Sequence, residues 1–191
     1  MLKRFLKSVT GFLMLDNVRL AVQGKWRALG VINQVLVGLA LVICAGLATT
    51  TYVFAKQQQD LRNVKCLAMN IYHEARGEPV KGQYAVADVT LNRVKADRYP
   101  DDVCRVVYQK AWIGKHQRYV AAFSWTVDGS SDIPRESRSW RQAMRIAKHV
   151  YFDRAPSKVK DALFYHADYV KPRWAARKLR IAKIGRHIFY K

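Results

Sequence analysis

Residues Val31 to Ala55 read VINQVLVGLALVICAGLATTTYVFA, twenty-five residues without a charge. Only Asn33, Gln34 and the Thr49–Thr51 run are clearly polar. A helix needs about 20 such residues to cross the hydrocarbon core of a bilayer. A buried core helix is the competing structure, but over this length it would normally carry a polar face. The pattern predicts a single transmembrane helix over residues 28–55, in contact with the lipid bilayer through residues 31–55. The two ends of the chain then fold in different compartments.

Flanking charge sets the orientation. Lys3, Arg4, Lys7, Arg19, Lys25 and Arg27 precede the span, with Asp16 the single acid among them. The positive-inside rule keeps residues 1–27 in the cytoplasm. Residues 56–191 then lie in the periplasm, or another extracytoplasmic space, beyond the inner membrane. Val53 and Ala55 would also suit a signal-peptidase site. The long basic region and long apolar run suit an uncleaved signal-anchor better. Gly38, Ala40, Ala45, Gly46 and Ala48 make the span rich in small residues, which serves helix packing or weakens its hold on the bilayer. Within residues 1–27, Leu2, Phe5, Leu6, Val9, Phe12 and Leu13 recur at helical spacing. That fits an interfacial amphipathic helix or a loosely ordered basic tail.

Cys44 falls inside the span, whereas Cys66 and Cys104 fall in the exported part. Two cysteines on an oxidised side of a membrane commonly pair, so a Cys66–Cys104 disulfide is expected. Charge narrows the partners. The chain carries 34 Lys and Arg against 14 Asp and Glu, a net charge of +20, and no acidic residue follows Asp168. Such a surface attracts polyanions: nucleic acid, anionic lipid or carboxylate-rich cell wall. No helix-turn-helix, zinc or RNA-binding signature is present, and the exported topology argues against specific nucleic-acid binding.

Beyond the span, Gln57 to Val64 is polar and reads as a linker, residues 56–65 in all. Residues 66–191 then read as one α+β domain, mostly helical with a small antiparallel β element. Cys66 to Ala75 has helical spacing and is stopped by Gly77 and Pro79. Val80, Tyr84, Ala87, Leu91 and Val94 mark a second helix from Val80 to Val94. Pro100 and Asp101 start a shorter one. Trp112 to Glu136 has no sustained period and suits a loop lining a groove. Ser139 to Asp153 is a helix with Trp140, Ala143, Met144, Ala147, Val150 and Tyr151 on one face. The aromatic and β-branched C-terminal part looks like a hairpin or small sheet.

The chemistry concentrates in NIYHEARGEPVKGQ, Asn70 to Gln83. His73 and Glu74 begin a zinc-protease pattern, but the second histidine it requires four residues on is Gly77. His116, His149, His166 and His187 are scattered and do not restore it, so neither a metal nor a cofactor is assigned. Glu74 shares a helical face with Leu67 and Ile71 and should point toward the core or a cleft floor. Burial raises a carboxyl's pKa, and the negative end of a helix raises it further. A protonated acid facing a groove is what cleavage of a glycosidic bond requires. Glu78 is a second carboxylate or a structural ligand for backbone donors or Arg76. The bland alternative is that Glu74 pairs with a basic side chain and only finishes a helix.

The segment CLAMNIYHEARGEPVKGQYAVADVTLNRVKADRYPDDVCRVVYQ, with FSWTVDG and FYHADYVKPRWA followed by IGRHIFY, resembles the SleB-like cell-wall hydrolases. That family is named for a spore-cortex-lytic enzyme, and the likeness covers about residues 65–190. It implies a lysozyme-like fold and peptidoglycan as partner, with cleavage of the N-acetylmuramic acid–N-acetylglucosamine bond, often by lytic transglycosylation. Glu74 would be the catalytic acid. One carboxyl can serve both steps of a transglycosylase, whereas hydrolysis would need a water-activating partner, with Glu78, Asp88 and Asp128 as candidates. Phe123, Ser124, Trp125, Tyr165, His166 and Trp174 are the expected substrate contacts. Ala122, before Phe123, departs from the polar residue frequent in related sequences. A small lytic enzyme on one anchor suits a bacterium or a phage that lyses one, as an endolysin does. The rival function is a cationic envelope-binding or membrane-perturbing module that keeps the fold without the activity.

Overall fold

The computed structural model describes residues 2–114, 117–153 and 156–191, with side chains from Gly30 onward except Ile113. The side-chain pattern expected within residues 1–27, and His116, therefore lie outside what is described. The chain forms two compact units, Met1–Lys56 and Gln57–Lys191.

The first helix, α1, is assigned from Leu2 to Ala75. Within the first unit its apolar side chains from Val31 to Phe54 are exposed. The segment beginning at Gly30 is long and apolar enough to cross a membrane. The three threonines do not break this character. Each hydroxyl of Thr49, Thr50 and Thr51 donates to the carbonyl three residues back, at 2.9 Å, so its polar group is satisfied within the helix.

In the second unit the end of α1 is a central core helix. Leu67, Ala68, Ile71 and Tyr72 are all buried, packed with Ala87, Val107, Phe123, Ala143 and Ala147. Three helices contribute to that packing: α2 (Val80–Lys95), α3 (Val103–Val107) and α4 (Ser137–Phe152). Asp102 caps α3 by accepting from the Arg105 N–H at 2.9 Å, the role that preferred N-cap residues play. The Cys66–Cys104 disulfide joins α1 to the start of α3, with the Cα atoms 5.2 Å apart.

The segment 56–65, expected as a linker, is helical. It contains no Gly or Pro to stop α1, and its polar side chains bond to the domain. Gln59 donates to Asp102 at 2.5 Å, Tyr151 donates to Asp60 at 2.8 Å, and Asn63 donates to Tyr151 at 3.2 Å. Asn63 and Val64 are buried. Polarity there serves packing against α3 and α4.

The Trp112–Glu136 stretch, expected to be irregular, overlaps a hairpin of β1 (Lys110–Ile113) and β2 (Arg118–Ala121). Trp112 lies opposite Tyr119, their rings 5.0 Å apart. A cross-strand aromatic pair of this kind stabilises a sheet too short to show alternation. A 3-10 turn, Ser124–Val127, follows. The C-terminal sheet has three antiparallel strands in the order β3 (Phe164–Ala167), β5 (His187–Tyr190), β4 (Arg180–Ile184). Phe189 of β5 is fully buried and packs with Ala75, Val86, Val89 and Ile184, which fixes the sheet against the end of α1 and α2.

Candidate active site

Glu74 is the penultimate residue of α1. The chain leaves the helix through Gly77 and Pro79, and the Glu78 N–H donates to the Ala75 carbonyl at 2.9 Å. A cleft of about 910 Å³ opens there. Its floor is the end of α1 and the residue after it, with His73, Glu74 and Arg76. One wall is the 124–136 loop, including Ser124, Trp125, Asp128 and Ile133. The other is the β3–β5 side, including Tyr165, His166, Tyr169 and His187.

The end of α1 holds the loop wall in place. The Tyr72 hydroxyl accepts from the N–H groups of Arg135 and Glu136, each at 3.1 Å. His73 stacks on Trp125 with ring centroids 4.4 Å apart, and its Nε2 lies 3.1 Å from the Asp132 carbonyl. Arg76 pairs with Glu136 at 3.1 Å. The Trp125 indole N–H donates to Asn70, and Asn70 donates to Thr90, both at 3.1 Å. A buried asparagine thus links the core to the cleft wall with its polar atoms satisfied.

Glu74 and Glu78 differ sharply in surroundings. Burial raises the Glu74 pKa, and this outweighs the hydrogen bond from Tyr165 and the charge of Arg93. The Tyr165 hydroxyl donates to Glu74 Oε2 at 2.9 Å. Burial and the charge of Glu74 push the Tyr165 phenol well above its ordinary value, so it stays protonated and remains a donor. Glu78 does not line the cleft. It faces the β4–β5 turn, where the Arg186 N–H donates to Oε2 at 2.9 Å and the Arg186 Nε–H to Oε1 at 3.0 Å. Burial alone would raise its pKa. Those two hydrogen bonds, with the nearby charges of His187 and Arg186, hold it below the ordinary value. Gly185 lets the turn approach this closely: its φ is +58° and an added Cβ would collide with Glu78 Oε2.

The other candidates separate just as clearly. Ser124, Trp125, Tyr165 and His166 line the cleft. Phe123 does not; it is a core residue with the Arg93 guanidinium 5.0 Å over its ring. Trp174 is also outside, packed against Phe164, His166 and Tyr190. Both are aromatic because the core and the sheet's outer face need the volume. Asp88 lies elsewhere and accepts from the Lys158 N–H at 2.5 Å. Asp128 does line the cleft and accepts from the Ser130 N–H at 2.8 Å. The sequence reading missed Tyr72, Ile133, Tyr169 and His187 as cleft residues. IGRHIFY contains His187, but nothing in a single sequence sets this histidine apart from the other four.

Residues 77–190 match a family model described as Cell Wall Hydrolase. Glu78, Tyr165 and His187 fall inside that match and Glu74 just before it. Two spore cortex-lytic enzymes are similar. That of Bacillus subtilis is 30% identical over 132 residues, 66% of this chain and 37% of its own length. That of Oceanobacillus iheyensis is 31% identical over 147 residues, 74% of this chain and 46% of its own length. The chain therefore spans less than half the length of these relatives. The crystal structure of the catalytic domain of the Bacillus cereus SleB protein superimposes with a TM-score of 0.52 at 28% identity. It covers 70% of this chain and 91% of that domain, so the second unit has the SleB catalytic-domain fold.

Proposed function

Because this chain belongs to the cell wall hydrolase family, we propose that it cleaves the glycan strands of peptidoglycan as a lytic transglycosylase, with Glu74 as its single general acid and base. The observation that carries this reading is the placement of Glu74 on the floor of the cleft, buried and with Tyr165 donating to one of its oxygens, surroundings that raise its pKa. A carboxyl held this way stays protonated to higher pH than an ordinary exposed glutamate, which suits it to give a proton.

In the first step protonated Glu74 gives its proton to the glycosidic oxygen, and the C1–O bond of the muramic acid residue breaks. The leaving sugar departs as an alcohol and positive charge develops at C1. The new Glu74 carboxylate faces that charge while Tyr165 stabilises it by hydrogen bonding. In the second step the sugar's own 6-hydroxyl attacks C1 and Glu74 takes the released proton, closing a 1,6-anhydro ring. Glu74 returns to its starting form and no water is consumed. Glu78 and Asp88 are committed to backbone N–H groups outside the cleft; in a hydrolase the water would have to be activated by Asp128 or Glu136, the other carboxylates that line it.

The same reading makes residues 28–55 the membrane anchor, with residues 1–27 in the cytoplasm and the 66–191 domain on the outer side. Exposed side chains from Val31 to Phe54 and internally satisfied threonines support it, because apolar surface on this scale requires an apolar solvent. The basic surface would hold the enzyme near wall carboxylates and anionic lipid.

The test is digestion of purified peptidoglycan by the full chain in detergent, with mass spectrometry of the products. Fragments ending in anhydro sugars are expected, and Glu74→Gln should abolish their release while leaving wall binding intact. Retained release by that variant would refute the assignment of the acid, and reducing ends would make the enzyme a hydrolase. Protease protection of the C-terminal domain in intact cells checks the orientation.

A further inference from the structure

One buried polar atom in the cleft wall has no hydrogen-bond partner among the described residues. His187, at the start of the central strand β5, lines the cleft although its residue is only 8% exposed. Its Nδ1 is sealed from solvent and has no hydrogen-bond partner among the described residues. Buried polar atoms are almost always paired, so such an exception calls for a reason. The ring packs edge-on against Tyr165, centroids 5.1 Å apart, and the hydroxyl of Tyr165 is on Glu74. One aromatic side chain therefore touches both His187 and the proposed acid.

The protonation state follows from the surroundings. The charged and titratable groups around His187 are Glu78 and Arg186 at the β4–β5 turn, with His166 and Asp168 from the β3 side. Burial, aided by Arg186 and His166, outweighs Glu78 and Asp168 and lowers its pKa, so the imidazole is neutral and carries one proton. On Nδ1 that proton would be a buried N–H with no acceptor, a rarer state than an unused lone pair. The proton therefore belongs on Nε2. This nitrogen is not sealed and bonds to no described residue, so its N–H is a free donor at the cleft wall.

We propose that His187 is a substrate-binding residue whose Nε2–H donates to an uncharged oxygen of the amino sugar seated over Glu74. This rests on the glycan-cleaving reading above and adds a residue to it. The unpaired Nδ1 is then the device that fixes the tautomer: with nothing to hold a proton there, the donor always faces the substrate.

Three substitutions separate this role from packing. The amide nitrogen of Gln reaches the place of Nε2, that of Asn the place of Nδ1, and Phe keeps the ring against Tyr165 without any donor. Full chain in detergent is sedimented with insoluble peptidoglycan for affinity, assayed for muropeptide release, and melted to check folding. His187→Gln is expected to bind within about twofold of the unmodified chain. His187→Asn and His187→Phe should bind about five- to tenfold more weakly, the loss of one neutral hydrogen bond, with His187→Phe melting no lower than the unmodified chain. Should one variant melt early, the other two still decide. The proposal is overturned if the Phe variant binds and cleaves like the unmodified chain, or if a folded Gln variant falls as far as Phe. A chain that binds the wall without cleaving it would sink the enzymatic reading and leave His187 to be judged on binding alone. A chain that does neither would sink both.

Discussion

Replacing Tyr165 with Phe removes one oxygen and tests how the acid is tuned. The ring keeps its packing against Phe189 and His187, 5.7 and 5.1 Å between centroids, so the fold should lose little. What disappears is the O–H donated to Glu74 Oε2 at 2.9 Å. A hydrogen bond to a charged group is worth about 1.5–3 kcal/mol. In the proposed mechanism Glu74 acquires that charge when it gives up its proton, so most of the loss falls on the transition state. At about 1.4 kcal/mol per factor of ten, kcat should drop roughly ten- to hundredfold. The pH profile carries a second signature. Tyr165 holds the Glu74 pKa down against the larger effect of burial, so removing it lets that pKa climb. With Glu74 as the proposed acid, activity would require its protonated form, and the alkaline limb should therefore move to higher pH. Release of soluble muropeptides across about pH 4 to 9 measures both effects. A limb that moves to lower pH, or a kcat within about twofold of the unmodified enzyme, would refute the reasoning.

Glu74→Gln should be inactive yet more stable at neutral pH. Burial raises the Glu74 pKa above 4.5, so the stability that goes with its protonated form is complete below 4.5 and is lost as pH rises through the folded value. Gln cannot ionise, and thermal melts should show its advantage growing from about pH 4 to 8. Glu78→Gln should behave in the opposite sense. Its pKa is lowered, so its contribution is present above 4.5 and fades as pH falls through the folded value. Losing the bonds to Arg186 should cost about 1–2 kcal/mol at pH 7, with the exposed guanidinium discounted. Muropeptide release by the folded protein should change little. Reducing the Cys66–Cys104 disulfide, whose ends are 38 residues apart, should destabilise the domain by about 4 kcal/mol in the chain-entropy model, read as a lower melting temperature.

Local chemistry made some features legible and hid others. The second helix could be bounded because Pro79 opens it and its apolar period is unbroken to Val94; the structure ends it at Lys95. The disulfide could be paired because only Cys66 and Cys104 lie beyond the apolar segment. The hairpin at Lys110–Ala121 could not be seen, since each strand has four residues and its stabilising contact, Trp112 on Tyr119, is cross-strand. Gln57–Val64 looked like a linker because its polar residues find partners 43 to 91 positions away. Phe123 and Trp174 show the same limit from the other side. An aromatic residue beside a motif looks the same whether it faces a sugar or a core.

The two carboxylates of HEARGE carry this argument furthest. Four residues apart on one short segment, they have the same ordinary pKa. The fold sends their pKa values in opposite directions. What separates them is where the turn at Gly77 and Pro79 points each side chain, and which C-terminal residue meets it. Glu74 meets Tyr165, 91 positions on, at the floor of the cleft, where burial raises its pKa and one phenol donates to it. Glu78 meets Arg186, 108 positions on, which supplies an N–H, a guanidinium and a glycine turn shaped to its carboxylate. Both partners sit on one three-stranded sheet, and the bonds between Glu78 and Arg186 hold that sheet against the end of α1. In the proposed mechanism Glu74 does the chemistry, while Glu78 anchors the β4–β5 turn through Arg186.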